Sequence, residues 1–166
     1  MNPYQAFIEG YKPAYLCSHR YEKKLLAQLI EMGYPNVLNY ELEDFDVPGK
    51  IFDRGTLFFQ NEQQKEEYEV KSKGVDPNSQ EGIMLLGETL GFPPIACRYF
   101  VEANEKKELA AKRAGFNYKG IVFVGNMDDR WEIAKWLWEN IHIPPAVVKV
   151  TYQNQTTFIE PTMSMI

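Results

Sequence analysis

The chain has 166 residues, 45% of them hydrophobic and 25% charged, and its formal net charge is −5 at pH 7. This length fits one domain of about 100–200 residues, and the composition excludes general disorder. The acidic balance and the scattered lysines and arginines argue against nucleic-acid binding, which needs several basic side chains on one face. The apolar runs are too short to cross a bilayer, so no membrane partner is expected.

The N-terminal segment shows no sign of secretion. Residues 1–5 have neither the charged nor the apolar stretch of a signal peptide, and residues 1–10 are predicted to be a loosely docked arm. Cys17 and Cys97 lie far apart in the chain, which argues against a disulfide framework, although one long-range bridge stays open. These features predict a cytoplasmic protein.

The first predicted element is a strand, Lys12–Cys17. A helix is predicted to follow, capped by Ser18 or His19, because apolar residues recur at helical spacing as far as Met32. Gly33 supplies the left-handed conformation that ends such a helix.

The middle of the chain is predicted to be rich in strands. Val37–Leu42 alternates apolar and polar residues, as a half-buried strand does. Thr56–Gln60 and Glu67–Lys71 are interpreted as a hairpin across the polar loop Asn61–Lys65. A short helix over Glu62–Val70 is the alternative for the second half of this hairpin.

Two helices are predicted next. The first begins at Asp76-Pro77 and runs to Leu90, where Gly91 ends it. Ile95–Ala103 has helical spacing, and the favoured interpretation continues this helix to Ala114. The alternative is a strand followed by a shorter helix.

The C-terminal part contains the clearest pattern, a strand, a helix and a strand in succession. The apolar run Gly120–Val124 predicts a strand that is buried on both faces. A turn follows, with Asp129 and Glu132 at capping-box spacing, and then a helix over residues 130–140. Ala146–Tyr152 is predicted to be the next strand, paired with Thr156–Ile159. This order favours a parallel crossover.

These elements predict an α/β or α+β fold. We expect a single globular domain over residues 1–161 and a flexible tail over residues 162–166. A mixed sheet of about five to seven strands would carry about four helices, and the C-terminal part would form a βαβ-like unit.

The stretch Cys17-Ser18-His19-Arg20 is the first candidate site, because it places a thiol, an imidazole and a guanidinium side by side at a predicted strand-to-helix junction. Cys17 would act as a nucleophile or metal ligand, with His19 as base or co-ligand. Alternatively, Ser18, Arg20 and the backbone amides of the helix start would bind an anion. A third interpretation is purely structural: a buried Cys17, a capping Ser18 and a surface His19.

Two other stretches are candidates. Arg98 follows Cys97, whose thiol it could activate, and the alternative is a buried cysteine beside a surface arginine. Asn126 and Asp128 follow the strand at residues 120–124 and could bind a ligand or cap a helix. No metal site is predicted, because closely spaced cysteine or histidine pairs do not occur. Trp136 is predicted to be exposed as an interface anchor, with Trp131 on the core side.

The function expected from these features is the binding of an anionic or nucleotide-like small molecule at the strand-to-helix junctions. Its binding residues would be Ser18, Arg20, Arg98, Asn126 and Asp128. The first alternative is a non-enzymatic interaction or inhibitor module with an acidic, aromatic-rich surface, which would bind a protein partner or a second copy. The second is a thiol-dependent enzyme that uses Cys17 with His19. The sequence specifies neither a reaction nor a cofactor.

Overall fold

The structure, a computed structural model, describes residues 1–43 and 50–162, and these contain seven α-helices and seven β-strands. The helices are α1 Pro3–Ile8, α2 Lys23–Glu31, α3 Glu62–Ser72, α4 Gln80–Thr89, α5 Pro94–Glu105, α6 Lys107–Ala110 and α7 Arg130–Asn140. The strands are β1 Ala14–Ser18, β2 Asn36–Glu43, β3 Ile51–Phe59, β4 Arg113–Tyr118, β5 Ile121–Asn126, β6 Val148–Tyr152 and β7 Gln155–Ile159.

The strands form two antiparallel sheets, with the orders β1-β3-β2 and β5-β4-β6-β7. The α+β fold class is confirmed, but the strands are divided between two sheets, whereas one mixed sheet was expected. Neighbours in sequence, such as β4 and β5 or β6 and β7, are also neighbours in the sheet, and such short connections produce antiparallel pairs.

The predicted βαβ-like unit is present, with one strand inserted. β5 and β6 both pair antiparallel with β4, so they run parallel to each other on its two sides. α7 connects them and buries Ile133, Ala134 and Leu137 in the same core cluster as Phe116 and Val150 of this sheet. The crossover is therefore confirmed, and β4 is its middle strand.

Burial along β5 alternates, so the prediction of a strand buried on both faces is wrong. Ile121 and Phe123 are buried, whereas the side chain of Val122 between them is 44% exposed. β5 lies at the edge of an antiparallel sheet, and such sheets commonly have only one face covered.

The prediction of one helix running to Ala114 is correct only as far as Glu105. α5 ends at Glu105 and the short α6 at Ala110, and the chain then forms β4. Ala114, Phe116 and Tyr118 are buried at alternate positions of β4. Pairing with two neighbouring strands and burial of this face stabilise the strand over a helical continuation.

The hairpin predicted around residue 61 is also wrong in its second half, and the alternative helix is correct. The Oδ1 atom of Asn61 accepts a 2.9 Å hydrogen bond from the backbone N–H of Gln64 and so caps α3. Tyr68 on this helix is buried, with its ring centroid 5.4 Å from that of Phe59.

The N-terminal segment is a docked helix, and the prediction of a loose arm is wrong. Asn2 and Gln5 form a reciprocal capping box, with hydrogen bonds of 2.8 and 3.1 Å, that starts α1. Phe7 on this helix is fully buried. Gly120 allows α1 to approach the β4–β5 turn closely: its φ is +89°, and a Cβ atom there would lie 2.6 Å from the carbonyl oxygen of Asn2.

Two expectations concern the extent of the chain. The single domain over residues 1–161 stays a prediction, and all of the predicted tail beyond Thr162 lies outside the described residues. Among the helices in the described part of the chain, none is long and apolar enough to span a membrane.

Candidate functional site

The stretch Cys17–Arg20 begins in β1 and continues into a turn that precedes α2. The Oγ atom of Ser18 accepts hydrogen bonds from the backbone N–H groups of Arg20 (3.2 Å) and Tyr21 (3.0 Å). Because α2 begins only at Lys23, the prediction that Ser18 or its neighbour caps this helix is wrong. Ser18 instead stabilises the turn.

The environment of Cys17 does not favour a thiolate. Its side chain is fully buried, and Sγ donates a weak 3.6 Å hydrogen bond to the carbonyl oxygen of Glu22. Burial, together with the charge of Glu22, raises the pKa of the Cys17 thiol to about 12. His19 is half-buried, and its Nε2 atom shares a 2.7 Å hydrogen bond with the Oγ1 atom of Thr56. The thiol and the imidazole therefore have separate partners.

Ser18 and Arg20 are poorly arranged for an anion. The Ser18 hydroxyl donates a hydrogen bond to the carboxylate of Asp53, which is only 8% exposed. The Arg20 side chain is exposed, and its guanidinium lies 5.2 Å from the ring centroid of Tyr21. A buried carboxylate beside Ser18 repels an anion at this junction.

Arg98 and its neighbour Cys97 lie on α5. Cys97 is buried, and a Cβ atom on Gly87 of α4 would lie 2.6 Å from its Sγ atom. Burial, and to a lesser extent the charge of Glu88, raises the pKa of the Cys97 thiol to about 12. Arg98 is exposed and lines a groove of about 620 Å³ that the acidic Glu81 also lines. Because Cys97 is buried and its pKa is raised, its thiol has low reactivity, and the exposed Arg98 does not activate it.

Asn126 and Asp128 belong to the turn between β5 and α7. The Oδ1 atom of Asn126 accepts a 2.9 Å hydrogen bond from the backbone N–H of Asp128, whose carboxylate lies 3.5 Å from Nζ of Lys112. Asp129 makes no side-chain capping bond, so the predicted capping box with Glu132 is wrong. Burial, and then the nearby carboxylates of Glu132 and Asp128, raise the pKa of Asp129. Asn126 and Asp128 thus have structural partners.

The predicted site residues are distributed over three parts of the fold. Cys17 lies in β1 of one sheet, Asn126 lies in β5 of the other, and Arg98 lies on α5. Arg98 lines a groove on α4 and α5 that no other predicted site residue lines. Within residues 1–43 and 50–162, no group of three or more histidine, cysteine or acidic side chains could hold a metal ion.

The tryptophans of α7 are arranged differently from the prediction. Trp136 is half-buried and packs against the core, whereas Trp131, expected on the core side, is 61% exposed. The Nε1 atom of Trp138 donates a 2.7 Å hydrogen bond to the carbonyl oxygen of Ala146. The core face of α7 is therefore centred on residues 133, 134 and 137.

A cavity that the sequence did not indicate lies between α1, β1, the turn before α2, the end of α4 and β5. Its volume is about 450 Å³, within the usual range of small-molecule pockets. Polar and charged side chains line one part of its wall: Asn2, Tyr4, Lys12, Tyr15 and Glu22. Leu25, Leu90 and Phe92 are among its apolar lining. We refer to it as the Lys12 cavity.

Lys12 is the unusual member of this wall, because its side chain is only 4% exposed. Its Nζ atom donates a 2.6 Å hydrogen bond to the carbonyl oxygen of Leu90 and lies 4.8 Å from the ring centroid of Phe92. Lys12 takes part in none of the ion pairs formed by the described residues. Burial without a carboxylate partner lowers the pKa of Lys12 to about 7.

Local contacts hold Lys12 in place. After α1, Gly10 adopts a positive φ of +85°, and the chain turns back so that the backbone N–H of Lys12 bonds to the carbonyl oxygen of Ala6 (3.1 Å). The side-chain amide of Gln60 donates hydrogen bonds to the carbonyl oxygens of Phe7 (2.6 Å) and Lys12 (2.8 Å). The backbone around Lys12 is thus bonded to α1 and to the side chain of Gln60, the residue that follows β3.

Tyr15 and Glu22 form a second polar feature of the cavity wall. The Tyr15 hydroxyl donates a hydrogen bond to one carboxylate oxygen of Glu22, and the other oxygen accepts a 3.1 Å bond from the backbone N–H of Ser18. Burial, and then the bond to Glu22, raise the pKa of Tyr15. The Tyr15 hydroxyl therefore stays protonated, with its proton donated to Glu22, and the Glu22 carboxylate is held in a fixed position.

Sequence reasoning placed Lys12 only at the start of a predicted strand. The available signal was a single lysine next to a run of proline, alanine, tyrosine and leucine at residues 13–16, where a charge is unusual. Nothing in the sequence indicated that Leu90 and Phe92 would surround its ammonium.

Comparison of the chain with models of protein families, with curated proteins and with solved structures finds no match.

Proposed function

We propose that this protein is a small-molecule-binding domain whose ligand carries one anionic group and binds in the Lys12 cavity. The observation that carries the proposal is a lysine side chain, only 4% exposed, that lines a cavity of about 450 Å³ and has no carboxylate partner among the described residues. Buried charges are normally paired, so this ammonium has an unfilled place for an anion.

The hydrogen-bonding capacity of Lys12 supports this proposal. A protonated lysine has three donors, and the carbonyl oxygen of Leu90 accepts one of them. A carboxylate of the ligand would accept another and would stabilise the charged form of Lys12. The attraction would be stronger than on the surface, because water screens a buried pair poorly.

The rest of the lining limits the ligand to a molecule with an apolar or aromatic body. Tyr4 and Tyr15 present rings 6.1 Å apart, measured between their centroids, in an edge-to-face arrangement. Glu22 is a carboxylate on the same wall and would repel a second anionic group. A monoanion therefore fits better than the polyphosphate of a nucleotide.

The experiment measures the binding of mandelate, an aromatic monoanion, and of its uncharged amide by calorimetry. We expect mandelate alone to bind, with an affinity that falls about ten-fold between pH 6 and pH 8 as Lys12 loses its proton. Lys12→Met should abolish binding, and Lys149→Met, at an exposed lysine of β6, should leave it unchanged.

A second variant keeps the test valid if Lys12→Met does not fold. Val122 lines the cavity from the partly exposed face of β5, so Val122→Trp would fill space without removing the ammonium. Loss of mandelate binding in this variant supports the proposal. Equal affinity of mandelate for the wild type and for Val122→Trp, or no mandelate binding to the wild type, overturns it.

The other two functions have less support. For the interaction module, Trp136 was expected to be the exposed residue that contacts a partner. Trp136 is instead half-buried and packs against the core, so it is poorly placed for this role. The thiol-dependent enzyme requires a reactive Cys17, whereas its thiol is buried and has a pKa of about 12. A cytoplasmic location is part of the present proposal, and it agrees with two cysteines that are both free thiols.

A further inference from the structure

The Lys12 cavity also has the features of a site for covalent amine chemistry. Lys12 is held by a neutral carbonyl oxygen and an aromatic ring, and among the described residues no carboxylate forms an ion pair with its ammonium. An amine in such surroundings is a better nucleophile at neutral pH than a surface lysine, provided that a substrate can reach it. The cavity provides that access.

We propose that Lys12 forms a reversible imine with the carbonyl group of a 2-oxo acid or a related anionic aldehyde or ketone bound in this cavity. This inference rests on the proposed function, because the cavity must first accept an anionic ligand. It adds a chemical class for that ligand and a covalent role for one side chain.

The reaction balances without an oxidant or a second substrate. The lone pair of the neutral Nζ atom attacks the carbonyl carbon, a C–N bond forms, and the carbonyl oxygen takes up a proton. The C–O bond of this carbinolamine then breaks, and the two protons originally on Nζ leave with the oxygen as water. The imine is protonated to an iminium ion, whose positive charge stays beside the carboxylate of the ligand.

Tyr15 and Glu22 line the same cavity and can position the carbinolamine. The Tyr15 hydroxyl donates its one proton to Glu22, so its oxygen keeps lone pairs that can accept a hydrogen bond from the hydroxyl of the carbinolamine. The protons that move between nitrogen and oxygen are carried by solvent water. In this reaction Tyr15 and Glu22 are positioning groups, and Lys12 is the nucleophile.

The titratable groups around Lys12 are few, which makes the pH dependence simple to interpret. α1 contributes Tyr4 to the cavity, β1 contributes Tyr15, and the turn before α2 contributes Glu22. The end of α4 and β5 contribute only apolar side chains, Leu90, Phe92 and Val122. Imine formation needs the neutral amine, so at substrate concentrations well below saturation its rate should rise as the pH passes through about 7, the pKa of Lys12 in the free protein.

The test uses phenylglyoxylate, an aromatic 2-oxo acid, with cyanoborohydride to reduce any imine to a stable amine. Peptide mass spectrometry then locates the adduct. At pH 7 a lysine with the ordinary pKa of about 10.4 is neutral in only roughly one molecule in a few thousand, so we expect Lys12 to be labelled at least about ten-fold faster than the exposed Lys149. Lys12→Met should remove the adduct, and Val122→Trp should slow its formation.

Mandelate separates failure of this inference from failure of the proposed function, because it has the same body and carboxylate as phenylglyoxylate but no carbonyl group. Mandelate binding together with even labelling of all exposed lysines overturns the imine and leaves the binding function intact. Failure of both probes overturns both proposals. Selective labelling of Lys12 that disappears in Lys12→Met, and that is slower in Tyr15→Phe at phenylglyoxylate concentrations that saturate each protein, supports the imine and the positioning role of Tyr15.

Discussion

The ammonium of Lys12 donates a 2.6 Å hydrogen bond to the carbonyl oxygen of Leu90, a residue 78 positions further along the chain. This bond joins the segment before β1 to the end of α4 and forms one wall of the Lys12 cavity. The ammonium of Lys12, near the N-terminus of the chain, thus meets the carbonyl oxygen of Leu90, near its middle, beside the apolar ring of Phe92. The contacts that form this wall also lower the pKa of Lys12, because they bury its ammonium.

Replacement of Lys12 by methionine should change how stability depends on pH. The pKa of Lys12 is about 7 in the folded protein and 10.5 without burial, so between these values the unfolded chain binds more protons. The free energy of unfolding of the wild type should therefore rise with pH across this window, by an amount of the order of 4 kcal/mol. Lys12→Met removes this contribution.

Urea denaturation at pH 6, 8 and 10 measures this effect. We expect Lys12→Met to be more stable than the wild type at pH 6 and to lose most of this advantage by pH 10, where the amine is neutral in the folded wild type and begins to lose its proton in the unfolded chain. Lys149→Met is the control, since Lys149 is exposed on β6. Parallel pH profiles of the wild type and Lys12→Met would show that Lys12 is not buried as described.

The thiols of Cys17 and Cys97 should resist modification in the folded protein. Both are buried and have a pKa of about 12, so roughly one in ten thousand is a thiolate at pH 8. A disulfide reagent such as dithionitrobenzoate should react with them only after urea is added. A Lys149→Cys variant provides an exposed thiol for comparison. Rapid reaction of Cys17 without urea would restore the thiol-dependent enzyme as a candidate.

Ser18→Ala and Arg20→Ala should have very different effects on stability. The Ser18 side chain bonds to two backbone N–H groups and to the buried carboxylate of Asp53, and its loss should cost about 1–3 kcal/mol. The Arg20 side chain is exposed, so Arg20→Ala should change the free energy of unfolding by less than about 0.5 kcal/mol. Equal effects in urea titrations would contradict the role of Ser18 in stabilising the turn before α2.

Gly91 should be intolerant of a side chain because it positions the carbonyl of Leu90. Its φ is +93°, and a Cβ atom there would lie 2.8 Å from Cδ of Pro13. We expect Gly91→Ala to destabilise the fold by about 1–3 kcal/mol through strain and through this contact. Gly74→Ala is a matched control, since φ is +74° and no atom lies within 4 Å of its Cβ position.

Thermal or urea unfolding compares these two variants. The control carries the backbone strain without the clash, so the difference between the two free energies isolates the contact with Pro13. Gly91→Ala should also raise the pKa of Lys12, because a displaced loop admits water to the ammonium. A Gly91→Ala variant no less stable than Gly74→Ala would rule out the close approach of these segments.

The tryptophans of α7 provide a test of the core. Trp138→Ala should cost about 3 kcal/mol, because its ring packs on the core and its N–H bonds to the carbonyl oxygen of Ala146. Trp131→Ala should cost less than about 0.5 kcal/mol, because Trp131 is 61% exposed. Urea titrations in which Trp131→Ala is the more damaging change would reverse this assignment of faces.

Local signals in the sequence were sufficient for several elements. The helix predicted over residues 130–140 matches α7, and β6 and β7 pair across Gln153 and Asn154, which both have positive φ values. Gly91, with φ +93°, follows the end of α4 as predicted. In each case the stop or turn depends on the conformational preferences of one or two residues, which act whatever the rest of the chain does.

The sequence by itself therefore predicted a fold of helices and strands, the C-terminal crossover and the C-terminal ends of α2, α4 and α7, because these depend on periodicity and on turn residues. Tertiary structure alone decided that Arg113–Tyr118 is a strand, since only pairing with β5 and β6 outweighs its helical neighbours. It also decided the candidate site. The pKa of Lys12 depends on Leu90 and Phe92, which are distant in sequence, and no local pattern records how they exclude water from its ammonium.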